Sequence, residues 1–174
     1  MQKGYKLVYD NIVLIGFMGS GKTSVGKILA RKLYKDFVDV DTIIEVKENA
    51  SVKDIFKNKG EKYFRSLEQK YIDEAAQKKG QVIATGGGLP IYSSIPEKSL
   101  IIYIDTDFDV ILKRLSAKEH AKRPLLQDEA KAKKMFNERI NIYKELAHYS
   151  VDANQVIATF IHRIYDYVLD KRVL

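Results

Sequence analysis

The sequence predicts one α/β domain, a sheet of about five parallel strands flanked by helices. Apolar runs alternate with stretches of helical periodicity along the chain, the signature of strand–helix–strand units. The first run, Asn11-Ile-Val-Leu-Ile15, is nearly continuously apolar, as a strand buried on both faces must be. The 174 residues suit a single domain spanning 1–174, with no repeat, low-complexity tract or linker to divide it.

After the first strand, Val25, Ile28, Leu29 and Leu33 share one face of a helix expected from about Gly21 to Tyr34. Phe37 to Val40 reads as a short second strand. Helical stretches are expected near Thr42 to Lys57 and Gly60 to Lys79, with Ser51 and Asp54 as a start signal between the first and its continuation. Gln81 to Thr85 is the third strand, ended by Gly86-Gly87-Gly88-Leu-Pro90, and Leu100 to Ile104 the fourth. A helix over Asp107 to Ser116 leads into Ala117 to Gln127, which is polar, basic and broken by Pro124, and reads as a mobile loop. A long helix (about Asp128 to Ala147), a strand near Ser150 to Asp152 and a last helix (about Gln155 to Asp170) follow.

Composition narrows the function classes. There is no cysteine, so disulfides and thiolate metal sites are excluded. No apolar run approaches the ~18 residues of a membrane span, and Met1 to Lys6 lack a signal core. The expectation is a soluble, cytoplasmic protein with no membrane partner. The leader Met1 to Asp10 carries no functional signal, and a disordered end is its default state. The formal charge of +7, from 30 Lys+Arg against 23 Asp+Glu, suits anionic partners, although a solvated lysine-rich surface accounts for it equally well. Basic residues cluster at Lys113, Arg114, Lys118, Lys122 and Arg123. No large apolar stripe is left after the core is assigned, which favours a monomer.

Gly16-Phe-Met-Gly-Ser-Gly-Lys-Thr23 matches G-x-x-x-x-G-K-[ST] between a strand and a helix, the context that gives the pattern meaning. Glycines let successive N–H groups turn inward toward phosphate oxygens. The helix start adds its positive end. Lys22 supplies a full charge to the β- and γ-phosphates, and the Thr23 hydroxyl is a hard ligand suited to Mg²⁺. The loop says nucleoside triphosphate and leaves the acceptor open.

Asp39 and Asp41 fall at the end of the second strand, where ligands of open α/β sheets sit. While the strand persists they share a face, one carboxylate toward hydrated Mg²⁺ and the other toward an acceptor hydroxyl. A pair of turn or N-cap aspartates explains the spacing equally well. Arg65 has Glu61 at i−4 and Glu68 at i+3. This is either a solvated ion pair or a guanidinium fork aimed at a substrate carboxylate, with Phe56 and Phe64 as an apolar wall or plain core. Gly86 to Gly88 permit close approach of a ligand, or form a simple turn. Arg139 and Tyr143 share a helix face, which alone carries no function.

Taken together, the chain from about Asn11 to Tyr149 resembles the shikimate kinase family. The motifs are Gly16 to Thr23, Asp39-Val-Asp41 with Ile44-Glu45, Phe64-Arg65-Ser-Leu-Glu68, Thr85-Gly-Gly-Gly88, Lys122-Arg-Pro-Leu-Leu126, and Arg139 with Tyr143. The resemblance implies a single-domain P-loop kinase fold with a mobile lid at about 117–127 and substrate-binding helices at about 42–79. It implies transfer of a phosphoryl group from ATP, with Mg²⁺, to the 3-hydroxyl of shikimate, a step toward chorismate and the aromatic amino acids. By the same resemblance Gly19, Ser20, Gly21, Lys22, Thr23 and Ser24 bind the ATP phosphates. Thr23 binds Mg²⁺ and Asp39 reaches it through water. Asp41 holds substrate hydroxyls and is the candidate base. Arg65 and Arg139 clamp the carboxylate, and Gly86, Gly87 and Gly88 contact ring hydroxyls. Arg123 closes over the phosphates, and Arg114 lies near adenine with Gln155 as a weaker adenine contact, because Asp152 to Gln155 run almost straight into the last helix.

Two rival readings are a gluconate-kinase type, which needs no carboxylate clamp, and a nucleic-acid-binding ATPase. The pair Arg65 and Arg139 with the glycine triplet argues against the first. The third strand ends Ala84-Thr85-Gly86 rather than in an acidic second nucleotide motif, which argues against the second, so no nucleic-acid partner is expected.

Overall fold

Ile12 pairs with Val82 on one side and with Leu100 on the other, which places the first strand at the centre of the sheet. The computed structural model describes residues 9–115, 126, 128–171 and 173. Its strands are β1 (Asn11–Ile15), β2 (Asp36–Asp39), β3 (Gln81–Ala84), β4 (Ser99–Asp105) and β5 (Tyr149–Asp152). They lie in the order β2-β3-β1-β4-β5, with every neighbouring pair parallel. All carboxyl ends therefore open along one edge, and the loops that follow β1, β2 and β3 meet there.

Side chains alternate across β1, and each set anchors its own core. Ile12 and Leu14 pack with Val25, Leu29, Phe160 and Ile164, from helices α1 (Lys22–Leu33) and α7 (Ile157–Lys171). Val13 and Ile15 face the other core, built by α2 (Val40–Glu48), α3 (Val52–Gln77), α4 (Leu89–Tyr92), α5 (Phe108–Arg114) and α6 (Glu129–Leu146). On the first side the approach is close: a Cβ at Gly26 would press into the Phe37 ring and lie 3.2 Å from Leu14.

The expected helix at 42–57 is two helices. Asn49, in the left-handed region at φ 49°, ends α2. Ser51 then caps α3 by accepting from the Asp54 amide at 3.1 Å, where the Ser-x-x-Asp signal lies. Gly60, at φ 80°, breaks α3 into two helical stretches, a conformation that costs glycine least. The single turn α4 follows the glycine triplet, with Pro90 in its first turn, and was not expected from the sequence. The lid expected at 117–127 lies outside the described residues except Leu126, which is buried in the second core.

Candidate active site

The phosphate loop joins β1 to α1. Gly21, at φ 98°, is the N-cap of α1, so the helix opens with its free first-turn amides at the sheet edge. Lys22 is nearly buried, and its ammonium donates to the carbonyls of Gly16 and Phe17 at 2.8 Å each, folded across its own loop. Two threonines brace the loop from adjoining strands. Thr106 donates to the Ser20 carbonyl at 3.1 Å, and Thr85 to the Leu14 carbonyl at 3.0 Å.

Asp39 takes the N-cap role that the sequence allowed and also meets Thr23. As N-cap of α2 it accepts from the Thr42 amide at 3.3 Å, and its other oxygen accepts from the Thr23 hydroxyl at 2.8 Å. The strand ends here, so Asp41 does not share a strand face with Asp39. It stands instead in the first turn of α2. Its Oδ1 is buried with no hydrogen-bond partner among the described residues. Burial, with the charge of Asp39 added, pushes the Asp41 carboxyl up to about 6 against the opposing pull of Lys22.

Arg65 stands on α3 with its guanidinium against Gly88. Its Nη1 donates to Glu68 at 2.6 Å, while Nε and Nη2 share Glu61 Oε1 at 3.2 and 2.9 Å. The Phe56 and Phe64 rings lie 5.5 Å from the guanidinium carbon, with Phe64 buried in the core and Phe56 packed against it. Glu68 is 1 % exposed. Burial pushes its carboxyl up to about 7, only partly countered by Arg65, and Asp41 adds to the rise.

The glycine triplet sits between these groups. A Cβ on Gly86 would stand 2.7 Å from Asp41 Oδ1 and 2.9 Å from Glu68 Oε1, and one on Gly88 would press into the Arg65 guanidinium. Tyr143, fully buried, donates its hydroxyl to the Gly87 carbonyl at 2.6 Å. Burial pushes that phenol up to about 12, so it remains a donor throughout the working pH range. Arg139, one turn earlier on α6, is 6 % exposed, an unusual depth for a guanidinium without a function or a partner.

A cleft of ≈ 720 Å³ runs from the phosphate loop past Asp39 and Asp41 to Gly86 and Gly87, and at its other end to Arg114 and Gln155. Arg114 Nη2 donates to the Gln155 carbonyl at 2.6 Å, which closes that end. Gly19 to Ser24 line the cleft. Arg65, Gly88 and Arg139 are not among the residues that line it. Arg123 lies outside the described residues. Sequence reasoning gave Glu68 only as an ion-pair partner and passed over Tyr92, whose ring lies 4.3 Å from the Arg65 guanidinium carbon. A short helix starting at Gly88 is the signal that would have found it.

A parallel sheet with its phosphate loop after the central strand, opening with Asp39 and Asp41 onto one cleft, defines a P-loop kinase of small molecules. The shikimate kinase family model matches residues 18–170. The shikimate kinase of Helicobacter hepaticus is 41% identical over 94% of this chain and 98% of its own length. That of a Sulfurihydrogenibium species is 45% identical over 83% and 89%. The structure of the Acinetobacter baumannii shikimate kinase in complex with shikimate superposes with a TM-score of 0.84 at 33% identity, covering 97% of both chains. The chain belongs to the shikimate kinase family.

Proposed function

We propose that this enzyme transfers the γ-phosphoryl group of ATP to the 3-hydroxyl of shikimate. The observation that carries the reading is Asp41 Oδ1, buried with no hydrogen-bond partner among the described residues, on a side chain that lines the cleft with the phosphate loop and Gly86. A buried acceptor without a donor is costly, and a substrate hydroxyl supplies the missing donor.

In this reading the amides of Gly19 to Ser24 cradle the phosphates, and Lys22 exchanges its two loop carbonyls for phosphate oxygens. Thr23 and Asp39 are hard oxygen donors already held together at 2.8 Å, a set that fits Mg²⁺ with Thr23 bound directly and Asp39 through water. When bound, Mg²⁺ neutralises charge on the β- and γ-oxygens. Asp41 mainly orients the attacking hydroxyl, since a loose transition state demands little of a base. Arg65 and Arg139 take the substrate carboxylate, and the Gly86 to Gly88 backbone takes ring hydroxyls. Arg114 and Gln155 border adenine, and Arg123 closes over the phosphates and helps exclude water. No helix among the described residues is long and apolar enough to cross a membrane. The reading extends to a monomeric cytoplasmic enzyme without a nucleic-acid partner.

The test is ADP release with shikimate, quinate and gluconate supplied separately. Strong turnover with shikimate is expected. ATP turnover indifferent to shikimate overturns the substrate.

A further inference from the structure

Glycine 88 and Tyr92 are four residues apart, at the start and end of the one-turn helix α4. That spacing stacks them on one helix face. The Tyr92 amide donates to the Gly88 carbonyl at 3.2 Å, and Leu89 beneath them is fully buried, so the turn is anchored. Gly88 leaves room for a guanidinium where any side chain would collide with Arg65. Tyr92 supplies a ring face beside that room. Its centroid lies 4.3 Å from the Arg65 guanidinium carbon and 5.8 Å from that of Arg139. Two cations borne by different helices, α3 and α6, thus meet at one aromatic ring.

We propose that Tyr92 is a positioning residue for substrate specificity, its ring holding Arg65 and Arg139 together as a single carboxylate receptor. This rests on the reading of those two arginines as the carboxylate clamp. Like charges brought to one site repel, and the negative face of an aromatic ring offsets that repulsion. The edges of Arg65 are taken by Glu61 and Glu68. Its face is what remains for a fixed support, and a planar guanidinium stacks well on a ring. Glu61 is the more exposed of the two acids, so it is the one a substrate carboxylate displaces. Stacking on Tyr92 keeps the fork aimed while that exchange occurs. The Tyr92 hydroxyl has no part in this, and the ring is 54 % exposed, so replacing it leaves the core intact.

The test compares Tyr92→Ala, Tyr92→Leu and Tyr92→Phe with Arg65→Ala in the full chain. Steady-state kinetics are measured with shikimate and with its uncharged methyl ester. Tyr92→Ala and Tyr92→Leu should raise the shikimate KM by about 10-fold, equal to about 1.4 kcal/mol, with kcat, the KM for ATP and the melting temperature little changed. Tyr92→Phe should behave as the parent, and the KM for the ester should be insensitive to residue 92. If Tyr92→Leu matches the parent, the ring is a mere apolar wall and the proposal falls. If Arg65→Ala raises the shikimate KM while Tyr92→Ala does not, the clamp stands and the role of Tyr92 falls. If Arg65→Ala also leaves that KM unchanged, the clamp itself is wrong.

Discussion

Gly86 stands where any side chain would touch Asp41: a Cβ there would lie 2.7 Å from Oδ1, well inside van der Waals contact. The Asp41 carboxylate is thus packed directly on bare backbone at the end of β3. Gly86→Ala is expected to fold, since α2 and β3 are held by their own cores, but to displace the carboxylate. A misplacement of about 1 Å costs on the order of 10²-fold in rate. Steady-state kinetics should show kcat falling on that scale with the KM for ATP little changed.

Asp41 should impose a pH dependence of two kinds. Its carboxyl titrates at about 6 in the native protein, against about 4 when unfolded. The native state therefore holds a proton that the unfolded chain has lost between those values. Its contribution to stability is present in full below about pH 4 and is lost as pH rises through about 6. Asp41→Asn should melt higher than the parent at neutral pH, with the gap closing toward pH 4. In the parent, kcat/KM for shikimate should fall as pH drops through about 6 to 7, the range of the coupled Asp41 and Glu68 carboxyls. In Asp41→Asn the rate should fall by about 10² or more and the Asp41 limb should vanish.

The proposed roles of Lys22 and Arg123 concern the phosphates rather than the acceptor. Lys22→Ala should lower kcat by about 10²- to 10³-fold, the loss expected for one preorganised donor, with shikimate binding by calorimetry unchanged. Arg123→Ala should lower it by about 10³-fold or more, the scale of an arginine finger. A normal rate in Arg123→Ala removes the lid from the mechanism.

Gly26 offers a stability test separate from chemistry. A methyl group there presses into the Phe37 ring and meets Leu14 at 3.2 Å. Overpacking of this kind costs about 1–3 kcal/mol. Urea denaturation of Gly26→Ala should show that loss, while the KM values of the folded fraction stay as in the parent.

Features set by local spacing were readable from the residues. The phosphate loop needs only its glycines, its lysine and a strand before it, and Arg65 found Glu61 and Glu68 at helical spacing. What escaped depends on tertiary placement. Asp39 and Asp41 could be read as one strand face or as turn and cap residues, and the chain turns into α2 at Val40, which gives the two carboxylates different surroundings. Glu68 looks like a surface ion-pair partner in sequence, yet α3 presses it against the glycine triplet with 1 % exposure. Gly-Gly-Gly-Leu-Pro reads as a turn, and only the fold reveals that the turn continues as a helix long enough to bring Tyr92 back over Gly88.

The most direct measurement is phosphorus NMR of the full-length protein incubated with ATP, Mg²⁺ and shikimate. The account predicts that the γ-phosphorus resonance is replaced by one phosphate monoester coupled to the proton at carbon 3 of the ring, in step with ADP. ADP accompanied only by inorganic phosphate, at the same rate with and without shikimate, would contradict it.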